Sequence, residues 1–253
     1  LVVDDASRDA TPEILREFRD PRLRVLRQPE ARGAAVARNL GIRHASGTRY
    51  IAFLDDDDEW LPGKLEAQVR VLDHAPPEIG LVYTGYLIVE RGSGRVVEQI
   101  VPREQGDISG ALMLQNCLGG TSSVLIRRAC FDAVGTFDET LPSYQDYDLW
   151  IRIARRYQVA YLTDPLMRYY LHEHKISTNV EAVMRGAEIM LGKYGDAPSF
   201  RRMIGRRYVT LGFDLLAAGE VQRGRAALRR ALRLSPLNPR AYYHLGRSLL
   251  RRA

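Results

Sequence analysis

Residues 49–60 read RYIAFLDDDDEW, an apolar run that ends in four consecutive aspartates. Tyr50, Ile51, Ala52, Phe53 and Leu54 have the aliphatic and aromatic make-up of a buried strand, and such a strand stops where a block of carboxylates begins. Upstream the arrangement recurs: the apolar Leu1–Val3 runs into Asp4 and Asp5. Between the two, Ala10–Phe18 fits a helix with Thr11 as its N-cap and Pro12 at its first position. Leu23–Leu26 fits a short strand, and Gly33–Ala45 places small and apolar residues at helical spacing. Downstream, Pro62–Ala75 fits a helix and Gly80–Val89 a strand. An alternation of strands and helices with short links predicts an α/β fold, a mostly parallel sheet flanked by helices. In such sheets ligands gather beyond the carboxyl ends of the strands, where both acidic clusters fall.

Farther on, Ile108–Asn116 fits a helix, Ser122–Arg127 a strand, Arg128–Val134 a short helix, Asp146–Arg156 a longer one and Val159–Leu162 a strand. From about Glu181 the pattern is helical throughout. Tyr208, Leu211, Gly212, Leu215 and Leu216 recur 34 residues later as Tyr242, Leu245, Gly246, Leu249 and Leu250. Small residues at a helix crossing and Pro236 after the second helix are what a helix-turn-helix repeat of that period needs. The stretch at about 205–253 resembles a tetratricopeptide repeat. The expected organisation is an α/β domain over 1–180 and an all-α extension over 181–253.

Composition agrees with a globular protein. Of the 253 residues, 45% are hydrophobic and 27% charged. No apolar run approaches the roughly 18 residues of a membrane span, and no signal peptide is visible. Cys117 and Cys130 give neither metal spacing nor a disulfide framework, so a reducing cytoplasm is the default expectation. The formal charge of +6 is uneven: Phe200–Ala253 holds thirteen arginines, no lysine, and only Asp214 and Glu220. That segment carries +11, which leaves −5 for the rest. A solvated helix face explains this charge; contact with an anionic membrane surface or a protein is the alternative, and no nucleic-acid partner is expected.

Four adjacent carboxylates repel one another unless a cation or hydrogen-bond donors compensate. Oxygen-only ligands suit Mg²⁺ or Mn²⁺, which keep open positions for phosphate. A solvated acidic turn capping the helix near Pro62 is the other reading. Asp4 and Asp5 could accept hydrogen bonds from a base or ribose, or cap the next helix. In RGAAVARN, small residues let a helix start approach a ligand, and Arg38 could pair with phosphate or lie on the surface. In YQDYDLW, Asp146 and Asp148 begin a helix: one is a candidate general base, and the alternative is an N-cap. His172 and His174 could meet a metal or phosphate, or be ordinary polar histidines.

The order of these motifs is more specific than any one of them. VVDDAS, RGAAVARNLGI, YIAFLDDDDEW, GGTSSVLIRR, VGTFDE, QDYDLWIR and YYLHEHKIS resemble the family 2 glycosyltransferases over roughly Leu1–Ser177. The resemblance implies the GT-A fold and an inverting, metal-assisted transfer of sugar from a nucleotide diphosphate donor, commonly a UDP-sugar, to a hydroxyl acceptor. That acceptor would be a glycan, a lipid-linked glycan or a protein, as in cell-envelope polysaccharide biosynthesis. It also implies roles. Asp4, Asp5, Arg38, Asn39, Asp55, Asp56 and Asp58 would bind the nucleotide sugar. Asp57 and His172 would hold the metal, Asp146 would act as base, and Gly119, Gly120 and Thr121 would line the acceptor side. The sequence departs from the family at Gln145, where Glu is usual, and at Tyr170, where Arg is common. The family's opening strand and Pro-Thr-Tyr-Asn-like loop have no counterpart, so the chain is expected to be a fragment. A decayed domain acting as an interaction protein through its helical tail is the alternative function. A receiver domain would need an isolated aspartate after the third strand, and a nuclease histidine-rich spacing; neither pattern is present.

Overall fold

The computed structural model describes residues 1–171 and 179–250. They fall into two compact units, Leu1–Ser109 with Cys117–Glu173, and Gly110–Asn116 with His174–Ala253.

The first unit is α/β. Its elements in chain order are β1 (Val2–Asp4), α1 (Thr11–Glu17), β2 (Val25–Arg27), α2 (Ala34–His44), β3 (Tyr50–Ala52), β4 (Asp58–Trp60), α3 (Lys64–His74), β5 (Ile79–Glu90) and β6 (Val96–Ile100). After α4 (Ser109–Leu112), most of which belongs to the second unit, come β7 (Val124–Arg127), α5 (Arg128–Val134), α6 (Gln145–Ala154) and β8 (Gln158–Leu171). Strands β1 and β2 pair in parallel as a two-stranded sheet. The others form a six-stranded sheet in the order β3-β7-β5-β8-β4, with β6 on β5.

Helices flank the sheet as expected, but strand direction is mixed rather than mostly parallel. The β5/β8 pairing is parallel, whereas β3/β7, β5/β7, β5/β6 and β4/β8 are antiparallel. Hydrophobic pattern locates a buried strand without stating its partner's direction, so alternation alone overcounted parallel crossovers. Strand β4, whose sequence is Asp-Glu-Trp, carries no strand pattern of its own. Pairing with β8 holds it: Asp58 lies opposite Tyr169, Glu59 opposite Arg168 and Trp60 opposite Met167. The cross-strand Glu59–Arg168 ion pair at 3.0 Å and the Tyr170 hydroxyl, donating to Glu59 at 2.6 Å, tie the edge.

Leu72, Val82 and Leu125 form a core cluster where α3 lies on β5 and β7, with Tyr50, Val69 and Leu162 packed around it. Thr11 lies inside α1 rather than capping it. Ala10 is the N-cap, and the Asp9 carboxylate accepts the Thr11 N–H at 3.0 Å.

The second unit is helical: α7 (Val180–Tyr194), α8 (Pro198–Ala217), α9 (Val221–Leu234) and α10 (Pro239–Leu250). Asn179 caps α7 by accepting the Ala182 N–H, and Pro198 opens α8. Helices α8 and α9 cross at glycines. A Cβ on Gly212 would lie 2.7 Å from Leu228 Cγ, and one on Gly224 would lie 3.0 Å from the Gly212 carbonyl. Glu188 of α7 reaches both neighbours, pairing with Arg230 at 2.6 Å and accepting the Tyr208 hydroxyl at 2.6 Å. Among the described residues no helix is long and apolar enough to cross a membrane.

Candidate active site

The four aspartates lie in the turn that leaves β3 and enters β4. The Asp58 N–H donates to the Asp55 carbonyl at 3.1 Å and closes the turn. This arrangement excludes the helix-capping reading, because β4 stands between the aspartates and α3, whose N-cap is Gly63. Asp55, Asp57 and Asp58 are half-buried, and each offers a carboxylate oxygen within 4.8 Å of the others. Asp56 is exposed and is not part of that trio.

Asp55 is held most firmly. Its Oδ1 accepts from Arg38 at 2.6 Å, its Oδ2 from the Thr121 hydroxyl at 2.9 Å, and its N–H donates to Ser122 Oγ at 3.0 Å. The guanidinium of Arg38 also lies 5.6 Å from the centre of the Phe137 ring. Thr121 and Ser122 are buried in a single helical turn just before β7. That turn follows Gly119, whose φ of +78° and whose carbonyl, accepting from Trp150 Nε1 at 3.3 Å, fix its path.

Asp146 occupies the first turn of α6, past the N-cap residue Tyr144, so it is not itself the cap. Burial pushes its carboxyl above the ordinary carboxylate range; the Tyr147 N–H and the Arg38 charge pull it back, and Asp55 adds to the rise. Asp148, two residues on, is fully buried and committed to Arg152 at 2.9 Å, whose guanidinium also donates to the Val134 and Thr136 carbonyls. The two aspartates of this motif thus separate into one within electrostatic reach of Asp55 and Arg38 and one paired with Arg152.

Tyr169 joins the pieces. Opposite Asp58 in the β4/β8 register, it has its phenol pushed up to about 12 by burial and then by Asp58, Asp57, Asp146 and Asp55. A single ring within electrostatic reach of all four carboxylates means that the β3–β4 turn and the start of α6 share one locus. The Tyr86 ring lies 6.1 Å from that of Tyr169, and a Cβ on Gly119 would sit 3.1 Å from it.

Three other expected site residues, Asp4, Asp5 and Asn39, make hydrogen bonds within the fold. Asp4 is buried, accepts the Ser7 N–H at 2.8 Å and pairs with Arg27 at 3.3 Å; the Ser7 hydrogen bonds foremost hold its carboxyl below the usual range. Asp5 accepts from Gln28 Nε2 and from the N–H groups of Arg32 and Gly33 at 2.5, 2.8 and 2.7 Å, which fixes the entry to α2. Asn39 is buried and spans to the Phe137 backbone and to Glu139, each contact at 2.9 Å. His172 and His174 lie outside the described residues. Reading the sequence missed Tyr169, Tyr86 and the hydroxyls of Thr121 and Ser122 as partners of the acidic turn. The glycine pair followed by three hydroxyl residues in GGTSS is the signal that marked the last two.

An all-carboxylate trio fits a hard divalent cation: oxygen donors from a short turn are the donor set that Mg²⁺ or Mn²⁺ takes. Arg38, already set against Asp55, adds one fixed positive charge.

The chain is similar in sequence and in fold to known glycosyltransferases. The family model described as Glycosyl transferase family 2 matches residues 1–122. The UDP-Glc:alpha-D-GlcNAc-diphosphoundecaprenol beta-1,3-glucosyltransferase WfgD of Escherichia coli is 31% identical over 214 residues, covering 84% of this chain and 81% of the relative. The S. aureus TarS 1-349 structure in complex with UDP superposes with a TM-score of 0.62 at 19% identity, covering 98% of this chain and 78% of that one. The mannosyltransferase PcManGT from Pyrobaculum calidifontis, in complex with GDP-Man and Mn2+, gives 0.52 at 20% identity, covering 98% and 70%. The structural likenesses establish the GT-A fold. With a relative at this identity matched over most of both chains, the chain belongs to glycosyl transferase family 2 and is a nucleotide-sugar glycosyltransferase.

Proposed function

We propose that this protein transfers a sugar, with inversion, from a UDP-sugar to a hydroxyl group of a lipid-linked glycan, with a divalent cation at Asp55, Asp57 and Asp58. The observation that carries this reading is the convergence of that trio and Asp146 on Tyr169, with Arg38 paired to Asp55 and acting on Asp146. UDP in TarS and the diphosphoundecaprenol acceptor in the WfgD name support the choice of donor and acceptor.

Asp146 takes the proton of the acceptor hydroxyl. The hydroxyl oxygen attacks the anomeric carbon, the bond from that carbon to the diphosphate oxygen breaks, and the electron pair leaves on UDP. A carboxylate lifted above its ordinary range is a stronger base than a solvated one. Burial of Asp146 therefore serves the step, while the Arg38 charge opposes part of that rise. Arg38 faces the departing diphosphate with a charge already oriented by Asp55. A divalent cation bound by the trio would stabilise the charge that develops on that leaving group. Thr121 holds Asp55, and Gly119 with Tyr86 borders the acceptor side.

The test is calorimetric titration with UDP-glucose, GDP-mannose and each nucleotide alone, with and without Mn²⁺, alongside an assay for UDP release. UDP-sugar binding that requires Mn²⁺ or Mg²⁺, with slow UDP release, is the expected result. No binding by any nucleotide sugar in the presence of either metal would overturn it, and would favour a domain that only docks partners.

The basic helical unit is read as the part that meets an anionic lipid surface where such an acceptor resides, on the cytoplasmic side. Arg201, Arg202 and Arg233 line one rim together with Leu237, which is 93% exposed. Guanidinium groups around an uncovered aliphatic tip match phosphate headgroups above acyl chains. Co-sedimentation with phosphatidylglycerol vesicles, lost in Leu237→Asp and at high salt, is expected. Equal sedimentation of that variant, or preference for RNA over vesicles, would reject it.

A further inference from the structure

Behind the acidic turn lies a buried polar chain that neither the catalytic step nor the hydrophobic core requires. Lys64 and Gln68 stand one helical turn apart on α3, at 1% and 0% exposure. The Lys64 ammonium donates to Gln68 Oε1 at 2.7 Å and lies 4.6 Å from the centre of the Trp60 ring. Gln68 Nε2 donates to the Val82 carbonyl on β5 at 3.1 Å and to the Ser123 carbonyl at 2.9 Å. Trp60 Nε1 donates to the neighbouring Ser122 carbonyl at 2.8 Å. Two successive carbonyls of the Thr121–Ser123 turn are therefore gripped, one by Gln68 of α3 and one by Trp60 of β4, and the hydroxyls of the same turn meet Asp55.

A lysine and a glutamine in a dry interior cost free energy that an apolar pair of the same volume would avoid. Burial draws the Lys64 ammonium down to about 7, an expression of that cost. Packing alone does not call for this arrangement. Orientation does. Outer groups that fix a metal ligand act by removing its rotational freedom before the ion arrives, and their loss costs a characteristic 10- to 100-fold in metal affinity.

We infer that Gln68, tethered by Lys64, is a positioning residue for the cation site, acting through the Thr121–Ser123 turn to set the Asp55 carboxylate. The inference rests on the proposal that the trio holds a divalent ion. The path is Lys64 to Gln68, Gln68 to the Ser123 carbonyl, Thr121 Oγ1 to Asp55 Oδ2.

The experiment measures Mn²⁺ affinity by electron paramagnetic resonance of the free ion, with thermal unfolding recorded for each protein. The proteins are wild type, Gln68→Leu, Lys64→Met, Thr121→Val and the Gln68→Leu/Thr121→Val double variant. Gln68→Leu and Thr121→Val are each expected to raise the Mn²⁺ Kd about 10-fold or more. The double variant is expected to be no worse than the poorer single, because both act on one path. Lys64→Met, which keeps the stem and removes the tether, is expected to shift the Kd in the same direction and supplies the readout if Gln68→Leu does not fold. Folded Gln68→Leu or Lys64→Met with wild-type Mn²⁺ affinity would overturn the inference, as would additive losses in the double variant. A wild type that binds no Mn²⁺ would instead bring down the cation site itself, a different failure with a different signature.

Discussion

Asp146→Asn is expected to lower kcat for sugar transfer about 1,000-fold, the middle of the range for losing a positioned base, while the donor Kd stays within about a factor of two. The separation follows from place. Asp146 opens α6, whereas the trio is built by the β3–β4 turn, so donor and cation keep their ligands when Asp146 loses its charge. Asparagine retains an oxygen for the Tyr147 N–H, now made by Asp146 Oδ1 at 2.7 Å. The helix start should therefore survive. The pH profile adds a second readout. Burial raises the Asp146 pKa, so the acid limb of kcat/KM in the wild type lies above the range of a free carboxylate; in the variant that limb disappears. Stability should move oppositely. A carboxyl whose folded pKa is raised binds its proton more tightly when folded, so ionising it at neutral pH costs stability. Asp146→Asn removes that cost and is expected to unfold at a higher temperature than wild type. Stopped-flow UDP release, donor calorimetry and thermal unfolding check the three parts. Full kcat with an unchanged acid limb would remove Asp146 as base.

The two aspartates of YQDYDLW show where the sequence was legible and where it was not. Both stood at a helix start, and a base and a structural carboxylate look alike there. Only the fold reveals that Asp148 meets Arg152 and that Asp146 faces Arg38 and Asp55. RYIAFLDDDDEW was legible because an apolar run halted by carboxylates has few physical solutions, and both β3 and the trio followed from it. Strand β4 was not legible, because three polar and aromatic residues gain strand geometry only from β8, more than a hundred positions away. Strand direction was hidden for the same reason: it belongs to pairs of segments, not to a segment. Asp5 and Asn39 lay in motifs read as ligand-binding, and their loop-closing hydrogen bonds were not legible there, since short polar side chains suit both tasks. The 34-residue recurrence mapped onto equivalent positions of α8 and α10 with unequal burial. Tyr208 is 2% exposed and Tyr242 56%, so the two copies of the pattern are not buried alike.

Asp57→Asn is expected to raise the Mn²⁺ Kd by more than the 10- to 100-fold typical of outer partners, since it removes a ligand outright. It is also expected to lower kcat about 100- to 1,000-fold through lost stabilisation of the departing diphosphate. Its effect on stability changes sign with the ion. Without metal, three carboxylates whose oxygens lie within 4.8 Å share one turn, with Arg38 the cation paired to Asp55. Repulsion in that setting is of order 1 kcal/mol per pair, so asparagine relieves it and the variant should unfold at a slightly higher temperature than wild type. With Mn²⁺ at one hundred times the wild-type Kd, the wild type gains about 2.7 kcal/mol by mass action and the variant almost none. The two unfolding curves should therefore exchange order as Mn²⁺ is added. Exchange of order is the decisive feature, because a merely structural Asp57 would leave the variant less stable at every concentration of metal, and an Asp57 in no contact with the ion would leave both curves shifting together.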